Sequence, residues 1–153
     1  MVAKFTPEQA VSYIEIQQLI NEWSFELDVH NGAHIASLLT EDCGYLVRGG
    51  VRTGRDAVAQ FYKERLETLA ATPEGVPTHR HMLANLRVKF TSADAASIGF
   101  SLVYFSTAGV KAGTKHADPA SAADVRMDVR RGADGEWLIA NFDSTPTFIR
   151  VIS

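Results

Sequence analysis

The sequence holds little of what would stabilise a chain lacking a core of its own. A single cysteine, Cys43, among 153 residues excludes an internal disulfide, and it has no metal-ligating neighbour at zinc spacing. It reads as a small half-buried apolar side chain. No run approaches the roughly 18 apolar residues of a membrane span. Met1-Val2-Ala3-Lys4-Phe5 leads straight into polar helix chemistry and does not resemble a signal peptide, so no secretory leader is expected. Fifteen Lys and Arg against eighteen Asp and Glu leave a net charge of -3, so there is no basis for broad electrostatic binding of nucleic acid. The serine-hydrolase elbow G-x-S-x-G, the zinc-protease H-E-x-x-H and the dinucleotide G-x-G-x-x-G are all missing. These absences lead us to expect a soluble, cytoplasmic protein, residues 1–153 forming one domain, with no membrane, nucleic-acid or metal partner.

What is present suits an ordinary core. Apolar residues make up 46% and charged residues 22%, and a chain of this length buries about 68–70% of its unfolded surface. Thr6-Pro7-Glu8-Gln9 is a helix start, with Thr6 as cap, Pro7 at the first position and Gln9 completing a capping box. Ile16, Leu19, Ile20, Trp23 and Leu27 follow at 3-4 spacing, which predicts a long amphipathic helix to about Val29, stopped by Asn31-Gly32. A short helix through Ile35, Leu38 and Leu39 and a strand around Tyr45-Leu46-Val47 come next. Gly49-Gly50 reads as a turn. Gly54-Arg55-Asp56 opens a third helix with Val58, Phe61, Tyr62, Leu66 and Leu69 on its apolar face. The glycine spacing there is P-loop-like, but Arg55-Asp56 stands where Lys-Ser/Thr is required.

From His79 onward the pattern changes to strands. Leu83 to Phe90 alternates, Ala95 to Thr107 is largely apolar, Val125 to Arg131 alternates, and Trp137 to Phe148 closes the set after an Ala133-Asp134-Gly135 hairpin. Helices followed by hairpin-joined strands predict an α+β fold with an antiparallel sheet. Residues Ala108 to Ala123, small and polar, read as a long connection acting as a lid or contact arm.

Two features carry candidate chemistry. Asp28 lies at the margin of the long helix's apolar stripe, where a carboxylate opposes the helix dipole. It is either a solvated acid or half of a site. His79 and His81 are two apart, so in a strand both imidazoles face one side. They read as a general base served by a carboxylate from the helix, as two ligands of a metal that needs a third, or as ordinary polar residues. His30, His34 and His116 fall at helix ends or in loops and are expected to face solvent.

The order of elements together with Ile16-Gln17-Gln18-Leu19, Asp28, Ala36-Ser37-Leu38, Glu41-Asp42, Tyr45, Gly54-Arg55-Asp56, His81, Asn85-Leu86-Arg87-Val88 and Asp134-Gly135-Glu136-Trp137 resembles the nuclear-transport-factor-2-like superfamily. Within it, the chain is similar to the SnoaL-like group that includes scytalone dehydratase and hexachlorocyclohexane dehydrochlorinase, over roughly residues 8 to 143. The resemblance implies three helices on a strongly curved antiparallel sheet, a cone enclosing an apolar pocket. It implies that Asp28 and His81 match the group's Asp-His pair and that Tyr45 matches an aromatic pocket position. Trp23 stands where the dehydrochlorinase has a helix lysine, and Arg126 is the candidate for its arginine. That departure removes support for halogen elimination.

Such a dyad needs no metal or organic cofactor. Neutral His81 takes a proton from an activated carbon of a small hydrophobic, aromatic-sized molecule, Asp28 fixes the tautomer, and Tyr45 donates to the growing oxyanion. His79 is assigned to the pocket mouth, with Trp23 and Arg126 as further substrate contacts. The resulting expectation is a lyase, dehydratase or isomerase. The alternative is a non-catalytic ligand-binding module, or an accessory subunit like the small subunits of ring-hydroxylating dioxygenases. Trp137 is expected to be a buried anchor. The strand at Leu102-Val103-Tyr104-Phe105, apolar on both faces, predicts a homodimer or homotrimer.

Overall fold

The computed structural model of the protein describes residues 4–47, 50–107 and 117–150. Helix α1, Pro7–His30, starts with the expected capping box: the Gln9 amide donates to Thr6 Oγ1 (3.2 Å) and the Thr6 amide to Gln9 Oε1 (3.1 Å). It ends at Asn31 in the left-handed conformation (φ 55°), followed by Gly32 (φ 83°). A 3-10 turn, Ile35–Leu38, leads into β1, Leu39–Val47, and β2, Gly50–Thr53. Helix α2, Arg55–Ala70, is followed by four long strands: β3 Thr78–Phe90, β4 Ala95–Thr107, β5 Pro119–Arg131 and β6 Trp137–Ile149.

The architecture is α+β, but two points depart from expectation. There are two α-helices among the described residues rather than three. Leu39 is already paired with Ile139 of β6, which pulls the chain into extended form and limits the short helix to one 3-10 turn. The sheet is also not wholly antiparallel. Its order is β2-β1-β6-β5-β4-β3, and β1 runs parallel to β6 while every other pair is antiparallel. The expected connection from 108 to 123 is shorter than predicted, because β5 already begins at Pro119. Residues 108–116 of that segment, His116 among them, and Gly49 of the predicted turn lie outside the described residues.

Register shifts bend the sheet. One falls in β3 between Ala84 and Arg87, where Asn85 takes φ 60°, and two more fall between β5 and β6. Such bulges kink a strand and increase its twist. Across the concave face, antiparallel register sets the side chains in rows: His81 opposite Tyr104 opposite Ser121, and Leu83 opposite Leu102 opposite Ala123. The core lies where α1 crosses this face. Ile16, Ile20 and Trp23 are buried there with Phe100, Val125, Met127 and Ile139. Trp137 is buried as expected, its Nε1 donating to Glu15 Oε2 at 3.0 Å, and Cys43 is fully buried. No helix of the described residues is long and apolar enough to cross a membrane.

Candidate active site

Beyond the packed core, the concave face opens into a cavity of about 500 Å³ between α1, α2 and strands β3 to β6. Its floor is apolar, with Trp23 and Leu27 from α1, Phe61 from α2, Leu102 from β4 and Phe142 from β6. Its polar groups are few: His79 and His81 from β3, Tyr62 and Arg65 from α2, Tyr104 from β4, and two serines, Ser121 and Ser144.

Helix α1 crosses β3 so that Asp28 meets His81. The carboxylate Oδ1 lies 2.6 Å from His81 Nδ1, and Oδ2 accepts the His81 backbone N–H at 2.9 Å. One side chain therefore fixes both the backbone and the ring of its partner. Both are well shielded, the Asp28 side chain 8% and the His81 side chain 16% exposed. Asp28 reaches solvent through a shallow cleft beside Ser24, Arg80 and Met82, not through the cavity. The carboxylate thus stands behind the imidazole, and Nε2 is the nitrogen presented to the cavity. The ring is held by Tyr104 (centroids 4.8 Å apart) and Trp23 (5.8 Å).

His79 is not at the pocket mouth. It is 3% exposed, and its Nε2 lies 2.8 Å from the Leu27 carbonyl. A carbonyl only accepts, so Nε2 carries the proton and Nδ1 is the bare acceptor, buried without a partner among the described residues. Burial pushes its pKa below the usual imidazole range. The Leu27 hydrogen bond opposes this shift, and the charge of Arg65 adds to it. With Nε2 so engaged and His81 Nδ1 held by Asp28, the two rings, 6.0 Å apart, do not converge on a shared ion. A group that could hold a metal lies elsewhere among the described residues. Glu26, His30 and His34, at the end of α1, bring their ligand atoms within 4.8 Å of one another.

Tyr45 does not line the cavity. It is fully buried, stacked on Phe142 (4.4 Å), and its hydroxyl accepts from Trp23 Nε1 (2.8 Å) and meets the Tyr62 hydroxyl at 3.2 Å. Burial, reinforced by Tyr62, holds its pKa well above the ordinary phenol value, so it stays a neutral packing group. Trp23 lines the cavity as expected. Arg126 does not. In β5, Ala123, Val125, Met127 and Val129 face inward, while Arg126 is exposed on the outer face between Gly99 and Asp143.

Of the cavity's polar residues, Tyr62, Arg65, Tyr104, Ser121 and Ser144 escaped the sequence reading as site residues. Tyr104 sits in a strand that reads as apolar on both sides, with no local mark of a site. Arg65 had a signal: Val58, Phe61, Tyr62, Arg65 and Leu69 share one helical stripe, so a cation stands where an apolar residue belongs.

The model of one family, the SnoaL-like domain, matches residues 8–143. The chain belongs to the SnoaL-like domain family. Several solved structures resemble this SnoaL-like chain. ActVI-ORFA from Streptomyces coelicolor has TM-score 0.76 and 18% identity, over 93% of this chain and 99% of its own. LinA has TM-score 0.75 and 18% identity, over 95% and 92%. A protein provisionally assigned as a scytalone dehydratase, from Novosphingobium aromaticivorans DSM 12444, has TM-score 0.72 and 23% identity, over 94% and 89%. At these identities the likeness establishes the fold. Among curated proteins, no sequence match is found.

Proposed function

We propose that this SnoaL-like protein is a cofactor-independent lyase, dehydratase or isomerase acting on a small hydrophobic molecule of aromatic size. The observation that carries the reading is the 2.6 Å contact between Asp28 and His81 Nδ1, which turns Nε2 toward an apolar cavity. Neutral His81, protonated at Nδ1, takes a proton through Nε2 from a carbon next to a carbonyl, an aromatic ring or a leaving group. Asp28 balances the imidazolium that forms, in a site where low dielectric strengthens the pairing. The electron pair released from the C–H bond either expels a leaving group or takes the proton back from the His81 imidazolium to form a C–H bond at another carbon. The first course is elimination and the second isomerisation. Tyr104, against the imidazole, takes the role of hydroxyl donor to developing oxyanion charge that the sequence had suggested for Tyr45. Support for chemistry of this class also comes from the likeness to the scytalone dehydratase-like structure and to LinA.

The test is proton exchange in D2O, followed by NMR, on a panel of small aromatic and terpenoid ketones and alcohols. We expect at least one compound to lose an activated C–H signal with the wild-type protein and not with His81→Ala. Compounds that bind tightly yet neither exchange nor turn over would assign the cavity to a binding module instead.

A further inference from the structure

The charge of the cavity is unbalanced. Among its described lining residues there is one permanent cation, Arg65, and no carboxylate. The acid of the dyad, Asp28, stands behind His81 and is committed to its ring and backbone. Several other arginines have partners: Arg55 pairs with Glu41, Arg131 with Glu15 and Arg150 with Asp118. Arg52 donates to the Val47 and Gly50 carbonyls. Among the described residues no carboxylate pairs with Arg65. Its stem leaves α2 beside Phe61 and Tyr62 on the stripe that faces the cavity, so among the described residues this cation lines a largely apolar cavity that offers it no carboxylate. A partly dehydrated guanidinium in that position is costly until an anion meets it, and its planar fork suits two oxygens at once.

We propose that Arg65 sets the specificity of this cavity by receiving an anionic oxygen of the substrate, a carboxylate or an ionised phenol, so that the substrate class is a small aromatic acid rather than a neutral hydrocarbon. The proposal rests on the reading of the cavity as the substrate site and deepens it. Arg65 anchors the acidic group while Leu27, Phe61, Leu102 and Phe142 enclose the ring. The field of Arg65 reaches the strand that carries both histidines, since it helps to keep His79 neutral. Charge that grows on the substrate during proton abstraction is then stabilised from the α2 side of the cavity.

The experiment uses two probes of the same shape, 2-naphthoate and 2-naphthamide, titrated calorimetrically into wild type, Arg65→Met, Arg65→Lys and His81→Ala. Wild type should favour the carboxylate by at least about tenfold. Arg65→Met should abolish the preference, with circular dichroism and the melting temperature reporting an intact fold. Arg65→Lys should keep part of the preference, and His81→Ala all of it. Equal binding of the two probes by wild type overturns the role of Arg65 and leaves the apolar substrate cavity standing. A preference that survives in Arg65→Met but disappears in His81→Ala does the same. Binding of neither probe overturns the substrate-site reading and the proposal with it.

Discussion

Asp28 holds His81 by two handles, and the consequence is a defined tautomer. In Asp28→Asn, the amide oxygen can still accept the His81 backbone N–H, but the amide nitrogen then faces Nδ1 and donates to it. The ring proton moves to Nε2 and the base is lost. Nitrogen-15 NMR of the imidazole should find the proton on Nδ1 in wild type and on Nε2 in Asp28→Asn; the same tautomer in both would remove Asp28 from the mechanism. His79 offers a prediction in pH. Its folded pKa lies below the ordinary imidazole value of about 6.5 because the ring is buried. The unfolded chain therefore takes up the proton first, and the stability His79 contributes is present above that value and lost as pH falls through the lower folded pKa. Melting temperature should fall more steeply with acid in wild type than in His79→Gln, whose amide can still donate to Leu27 O. The pair Asp28 and His81 was legible in the sequence because resemblance to a family supplied the match. Position alone left both open. Tyr45 and Arg126 went astray for lack of facing information, since neither a strand's inward side nor a hydroxyl's partner can be read without the register.

At the scale of elements, close approach explains more than propensity does. Gly32 has φ 83°, and a Cβ there would stand 2.5 Å from the Tyr62 ring, so α2 can lie against the end of α1 only if this residue is glycine. Gly32→Ala should destabilise the fold by at least about 1–2 kcal/mol from backbone strain alone and shift Tyr62 in the cavity wall, measured by denaturant unfolding and ligand affinity. Trp137 ties β6 to α1 through Glu15 and carries the Arg131 guanidinium 4.7 Å above its ring. Trp137→Ala should cost about 3–5 kcal/mol as a large core truncation. Full stability combined with lost ligand binding would reverse that assignment. Both long helices were legible from caps and 3-4 spacing. The start of β5 was not: Pro119, Ala120, Ser121, Ala122 and Ala123 have poor strand propensity. They are held extended by β4 on one side and, from Ser121 onward, by β6 on the other. Leu39 to Asp42 of β1 was missed for a similar reason, since its parallel partner lies about a hundred residues downstream, at Ile139 in β6.

At the scale of the whole molecule, the outer face of the sheet carries an apolar row that the helices do not cover. Register places Met82 opposite Val103, Val103 opposite Ala122, and Ala122 opposite Phe148. Met82 is 57% and Phe148 76% exposed in the single chain. A row of this kind is where we propose that copies of the chain associate, as a homodimer or homotrimer. Light scattering at micromolar concentration should give an oligomer that Phe148→Asp combined with Met82→Lys converts to monomer. A wild-type monomer would contradict the assignment. The α+β plan was foreseeable from helices followed by strands, and the curved sheet with its apolar pocket from the resemblance to the family. The parallel β1–β6 pair was not, because it depends on where the chain returns after a long excursion rather than on any local pattern.

All three scales meet at the dyad, since α1 must cross β3 at the right height for Asp28 to stand behind His81. The most direct measurement is kcat/KM for His81→Ala, Asp28→Asn and His79→Gln, on a compound that undergoes His81-dependent exchange. We predict losses of about 10²–10⁴-fold for the first two and less than about tenfold for His79→Gln, with all three variants folded. Equal, small losses in all three would contradict the assignment of His81 as the base.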